Sequence, residues 1–137
     1  METTNRAASF KKMRHDRLLE VAEDYTELIA EYKDNQQNVR VCDIARDMGI
    51  SHVSVLHTLK RLIRDGYLIQ SENKGIDLTE KGKEMANFSK KKHLILTEFL
   101  LSLGIPENIV AADDEGIEHH ISSITLNAIA KHINYEW

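Results

Sequence analysis

The chain has 137 residues, a formal net charge of −4 and 42% apolar residues, enough for one compact unit or two small domains sharing a helix. No apolar run nears the roughly 18 residues a membrane span needs and the N-terminus lacks a signal peptide's apolar centre, while the single cysteine, Cys42, excludes an internal disulfide and fits a reducing cytoplasm. The charge is uneven: residues 1–92 hold 17 Lys/Arg and 15 Asp/Glu, and residues 93–137 hold one Lys and seven Asp/Glu, so the first part can approach phosphates and the second can attract cations.

One proline and many helix formers point to a mainly α chain with a small β-hairpin. Residues 1–9 read as a flexible tail. Apolar residues at helical spacing then run from Phe10 to about Tyr32, through Met13, Leu18, Leu19, Val21, Ala22, Tyr25, Leu28 and Ile29. After the polar turn 33–38 a short helix spans about Cys42–Met48, with Ile44, Ala45 and Met48 inward and Gly49 ending it. Ser51 can cap a helix running to about Asp65, with Val55, Leu59, Leu62 and Ile63 as its buried stripe.

The period then changes to that of strands. Gly66–Gln70 and Ile76–Leu78 read as a hairpin around Asn73-Lys74-Gly75. Thr79 can cap a long helix from Glu80 to about Leu103, ended by Gly104; Pro106 suits the start of another; a last helix spans about Ser123–Ile133. A winged domain over 10–90 and a helical domain over 91–137 are expected, sharing the long helix.

Helix, glycine turn, helix and hairpin in that order form a winged helix-turn-helix. Its recognition helix offers Ser51, His52, Ser54, His57, Thr58 and Arg61, and the wing tip offers Lys74. Hydroxyls, imidazoles, a guanidinium and an ammonium can read base edges or bind phosphate. The competing reading is a solvated helix face in a protein-interaction module.

Glu115, Glu118 and His119 fall at i, i+3 and i+4, leaving one face of a helix. Two carboxylates and an imidazole, without thiol, suit a divalent ion such as Mn²⁺ or Fe²⁺. Three donors are too few, so others are expected: Asp24 and Glu27 form a second one-faced acidic pair, and His93 sits in an apolar stretch of the long helix. Each has an ordinary explanation alone, a solvated stripe or a half-buried histidine. Together they can hold one or two ions, a carboxylate bridging. His120 points about 100° away from His119. Part of the apolar set Leu94, Ile95, Phe99, Leu100, Ile117, Ile121, Ile124, Leu126 and Ile129 is expected to form a dimer interface. Without a second constellation or a glycine-rich phosphate loop, an enzyme is not expected.

Glu23-Asp24-Tyr25-Thr26-Glu27-Leu28-Ile29, the winged motif, the His93 helix ending Leu100-Leu101-Ser102-Leu103-Gly104-Ile105, and Asp114-Glu115-Gly116-Ile117-Glu118-His119-His120 resemble the diphtheria-toxin-repressor family, most closely its manganese transport regulator branch. The resemblance covers roughly residues 16–135. It implies a cytoplasmic homodimer that binds a palindromic operator when metal is bound, with no organic cofactor. It also implies that Asp24, Glu27, His93, Glu115, Glu118 and His119 occupy all six ligand positions of the manganese branch. The iron-sensing branch has methionine and cysteine where this chain has Asp24 and Glu115. About 16 residues precede the part shared with shorter members, and the SH3-like domain of the iron-sensing branch is absent from this sequence. The alternatives are an iron-responsive regulator of the same family and a winged-helix regulator that senses a small organic ligand.

Overall fold

The computed structural model describes residues 5–73 and 75–136. Six helices and one hairpin follow in the order α1 (Arg6–Asp34), α2 (Val41–Met48), α3 (His52–Arg64), β1 (Leu68–Gln70), β2 (Ile76–Leu78), α4 (Glu80–Ser102), α5 (Glu107–Ile117) and α6 (Ser123–His132). None of the described helices is long and apolar enough to cross a membrane.

The chain divides into two compact units, one of residues 22–87 and one of residues 1–21 with 88–137. The first part of α1 and the part of α4 from Phe88 onward belong to the same unit as α5 and α6. Helix α1 starts earlier than the expected Phe10. Asn5 supplies the reason: its Oδ1 accepts from the Ala8 N–H at 3.3 Å, capping a helix whose first residues are good helix formers.

The unit of residues 22–87 is a winged helix-turn-helix. Ile44 of α2, Val55, Leu59 and Leu62 of α3, and Ala22, Tyr25 and Ile29 of α1 are among its buried apolar residues, joined by Leu68, Ile76 and Leu78 from the hairpin and by Val39 and Ala86. Ile63, expected in the α3 stripe, is instead exposed. Gly49 adopts φ +67° after α2, and its N–H bonds back to the Arg46 carbonyl at 3.3 Å. A side chain there would strain the tight turn between the two helices. Ser51 caps α3 by accepting from the Ser54 N–H at 3.1 Å.

β1 and β2 pair antiparallel, Leu68 opposite Leu78 and Gln70 opposite Ile76. The pleat turns Leu68, Leu78 and Ile76 inward and leaves Ile69 and Asp77 outward. At the tip, Asn73 Oδ1 accepts from the Ser71 hydroxyl and, at 3.2 Å, from the Gly75 N–H. Thr79 Oγ1 accepts from the Gly82 N–H at 3.1 Å while its own N–H and hydroxyl face the Tyr67 carbonyl. That joint fixes the wing to the start of α4.

The other unit is helical. Ile95, Leu96, Leu126 and Ala130 form its buried cluster, with Ile121, Ile129, Ile133 and Tyr135 packed around it. Ser122 caps α6 by accepting from the Thr125 N–H at 3.2 Å. Of the residues expected at a dimer interface, Ile95, Leu100 and Leu126 are core, whereas Leu94, Ile117 and Ile124 are exposed, Ile124 at 84%.

Candidate metal centre

The acidic segment does not lie on a single helix. α5 ends at Ile117, Glu118 is its C-cap with φ −59° and ψ −30°, and His119 follows in the turn. Because Glu118 keeps right-handed helical angles, the expected one-faced geometry survives the end of the helix. One donor atom each from Glu115, Glu118 and His119 lies within 4.8 Å of the others. Glu118 and His119 are buried and Glu115 is exposed. His119 Nε2 stands 3.5 Å from Glu118 Oε1.

α4 brings His93 to the same place. Its Nδ1 is 3.3 Å from Glu118 Oε2, and nearer still, at 2.5 Å, to Oδ2 of Asp114. Asp114 is the residue the sequence reading did not select. It is fully buried, and its Oδ2 also accepts from the Thr97 hydroxyl at 2.9 Å. His93, Asp114 and Glu118 likewise offer donor atoms within 4.8 Å of one another. Glu118 therefore belongs to two overlapping donor groups, one completed by α5 and its turn, the other by α4.

Burying a carboxylate is costly unless its oxygens are met by hydrogen bonds, an ion pair or a metal. Asp114 Oδ1 is buried and meets none of these. Carboxylate oxygens with imidazole nitrogens and no sulfur suit a divalent ion of hard to intermediate character. The residues present thus fit such an ion on both geometry and chemistry.

Asp24 and Glu27 lie one turn apart on the part of α1 that belongs to the winged unit, both half-buried. His120, expected to point away from the other donors, is half-exposed and faces Asp16 at 3.7 Å and Glu20 at 3.8 Å on the first part of α1. The Asp16 carboxyl is held below its ordinary value, chiefly by its hydrogen bond with Lys12 and more weakly by His120.

On the winged unit, Ser51, His52, Ser54 and His57 are exposed, and Thr58 is half-buried. Arg61 is half-buried too, and its Nη2 is shielded from solvent without a hydrogen-bond partner. Lys74 lies outside the described residues. A groove of about 610 Å³ runs beside His52 and Leu56 of α3 and is lined also by Arg40, Gln70, Ser71 and Asn73. Arg40 and Gln70 lie off the recognition helix, and only the fold brings them beside it.

A recognition helix with its wing, on a chain that also gathers carboxylates and imidazoles in a helical unit, defines a winged-helix DNA-binding protein carrying a candidate metal centre. Residues 17–76 match the family described as iron dependent repressor, N-terminal DNA binding domain. Residues 79–135 match iron dependent repressor, metal binding and dimerisation domain. Transcriptional regulator MntR of Salmonella typhimurium is 36% identical over 119 residues, 87% of this chain and 76% of its own length. HTH-type transcriptional regulator MntR of Lysinibacillus sphaericus is 35% identical over 108 residues, 79% of this chain and 78% of its own. Among solved structures, the manganese regulator SloR superposes with a TM-score of 0.74 at 26% identity, and the metal-dependent transcriptional regulator MtsR with 0.77 at 25%. Each similarity covers 84% of this chain and 54% of the other, so the chain spans about half the length of those two structures. The chain belongs to the iron-dependent repressor family, the diphtheria-toxin-repressor group that includes the MntR regulators.

Proposed function

We propose that this chain is a cytoplasmic, manganese-responsive transcriptional repressor that acts as a homodimer on a palindromic operator. The observation that carries the reading is the convergence of His93, Glu115, Glu118 and His119 into overlapping donor groups sharing Glu118. With Asp24 and Glu27, which the motif adds, these are the six metal ligands of the proposal. They supply oxygen and imidazole only, which leaves Mn²⁺ competitive against softer ions.

The physical logic is one of charge and position. Without an ion, the acidic donors repel one another. A divalent cation neutralises them and is bound better by the arrangement that gathers all six. Since α1 carries Asp24 and Glu27 as well as the buried Tyr25 and Ile29 of the winged unit, occupancy of the centre biases that unit's position. A palindrome requires two recognition helices about one DNA turn apart, so fixing them raises operator affinity. The ion's preference for the DNA-competent arrangement bounds how far the equilibrium moves.

Ser51, His52, Ser54, His57 and Thr58 are the residues proposed to face the operator, with Arg61 and Lys74 in supporting contact. Leu94, Ile117 and Ile124, all exposed in the helical unit, are proposed to be covered by a second copy. Sedimentation that shows a monomer at micromolar concentration contradicts the dimer.

Glu118→Gln tests the centre, since it keeps shape and removes the shared charge. Fluorescence anisotropy with promoter DNA should show metal-free binding unchanged and the Mn²⁺ enhancement reduced at least tenfold. A full Mn²⁺ response in this variant contradicts the assignment.

A further inference from the structure

We propose that Asp114 is itself a metal ligand, completing with His93 and Glu118 a subsite for a hard divalent cation beside the group formed by Glu115, Glu118 and His119. The inference rests on the reading of this centre as metal-binding and adds to it a residue outside the six ligand positions that the family resemblance implies.

Three observations converge. The donor atoms of His93, Asp114 and Glu118 lie within 4.8 Å of one another. Metal–oxygen distances for hard divalent cations are roughly 2.0–2.6 Å, so donors on opposite sides of one ion stand about 4–5 Å apart. The three can therefore surround a single ion with small rotations. Asp114 is also fully buried, yet only one of its oxygens is met, by His93 and Thr97. The other, Oδ1, is shielded from solvent and has no partner. A buried carboxylate oxygen left unmet costs stability unless a ligand completes it.

Access is the third. The His93 side chain is 48% exposed, so an ion reaches the buried carboxylates past the imidazole without unfolding α5. Glu115 follows Asp114 directly, about 100° further round the helix. The end of α5 thus offers one carboxylate to each group, and Glu118 can bridge them. Two oxygens and one imidazole favour Mn²⁺, Fe²⁺ or a similar ion over thiophilic ones.

The alternative role for Asp114 is to orient the His93 ring by hydrogen bonding. Asp114→Cys in the full-length protein, loaded with Co²⁺, separates the two. A ligand at position 114 gives a near-ultraviolet sulfur-to-cobalt charge-transfer band that the wild type, with its one exposed Cys42, lacks. Asp114→Asn keeps the size and the Thr97 hydrogen bond, and paramagnetic resonance should count one Mn²⁺ fewer per subunit, or show the weaker ion lost at least tenfold more readily. Thermal melts confirm that each variant is folded.

A folded Asp114→Cys protein without the band overturns the ligand role. So does an Asp114→Asn protein that binds Mn²⁺ with unchanged count and affinity, and that result leaves the function proposed above intact. A wild-type protein that binds no Mn²⁺ overturns both.

Discussion

Gly82→Ala in the first turn of α4 sets two effects of known size against each other. In a free helix, alanine is favoured over glycine by about 1 kcal/mol. Here the added Cβ would fall 2.1 Å from the Tyr67 carbonyl oxygen and 3.2 Å from Leu78 Cδ2. Real Cβ atoms essentially never come within 3.0 Å, so the backbones must part by about 1 Å. That carbonyl already accepts from the Thr79 N–H and hydroxyl, each at 3.1 Å, and both bonds stretch when it moves. Overpacking of this kind costs about 1–3 kcal/mol, and two weakened hydrogen bonds add roughly 1 kcal/mol each. Less the propensity gain, the net loss is about 2–4 kcal/mol, or roughly 10 °C in the melting temperature of a domain this small. Gly116→Ala is the control, because its Cβ meets nothing within 4 Å; it should be neutral or stabilise by up to about 1 kcal/mol. The assay is thermal unfolding by circular dichroism. A Gly82→Ala protein at least as stable as the wild type refutes the account of the wing–α4 joint.

Ser51→Ala removes the side-chain cap of α3 and should cost about 1 kcal/mol in urea unfolding; an unchanged midpoint contradicts the capping role. Burial pushes the Tyr25 phenol above its usual value of 10.0, against smaller opposing effects of Thr58 and Arg61. The fold favours the neutral phenol, so this group takes nothing from stability below pH 10 and lowers it as pH rises from there through the raised value. Tyr25→Phe should flatten the fall in urea midpoint as pH rises above about 10; parallel curves would show that the phenol is not the cause. Adding chelator to Mn²⁺-loaded protein should lower its stability by about 2.7 kcal/mol if the free ion had stood at about 100 times its Kd; no change in melting would place the ion outside the folded structure.

The winged unit was legible because its signals are local. Gly49 marks the turn, Ser51 the cap of α3, and Asn73-Lys74-Gly75 the hairpin, and each acts within a few residues of itself. Thr79 was likewise readable as a cap, although its contact with the Tyr67 carbonyl was not, since that depends on the wing folding back. Ile63 fits the helical stripe of α3 but is exposed, because periodicity gives a direction and not the reach of the neighbouring elements. The start of α1 was missed because Asn5 follows two threonines and precedes few apolar residues, which resembles a solvated tail.

At the candidate centre, Glu115, Glu118 and His119 were found from spacing alone, and the convergence survives although the helix ends before two of them. His93 was picked out as an imidazole in an apolar stretch of the long helix, but its nearest carboxylate was not. Asp114 sits in the run Asp113-Asp114-Glu115, which reads as a solvated acidic patch. Only the packing of α4 against α5 shows that Asp113 faces out while Asp114 is enclosed. Burial of a single member of a charge run has no sequence signature, because it is decided by an element twenty residues upstream.

The most direct test of the central claim is a fluorescence-anisotropy titration of the wild-type protein against its own promoter DNA. Binding is measured first with chelator, then with Mn²⁺, anaerobic Fe²⁺, Zn²⁺ and Mg²⁺ in turn. The account predicts that Mn²⁺ tightens binding at least tenfold, about 1.4 kcal/mol, and that Mg²⁺ does not. Equal affinity with chelator and with Mn²⁺ would contradict it, and a response to Fe²⁺ alone would assign the centre to iron.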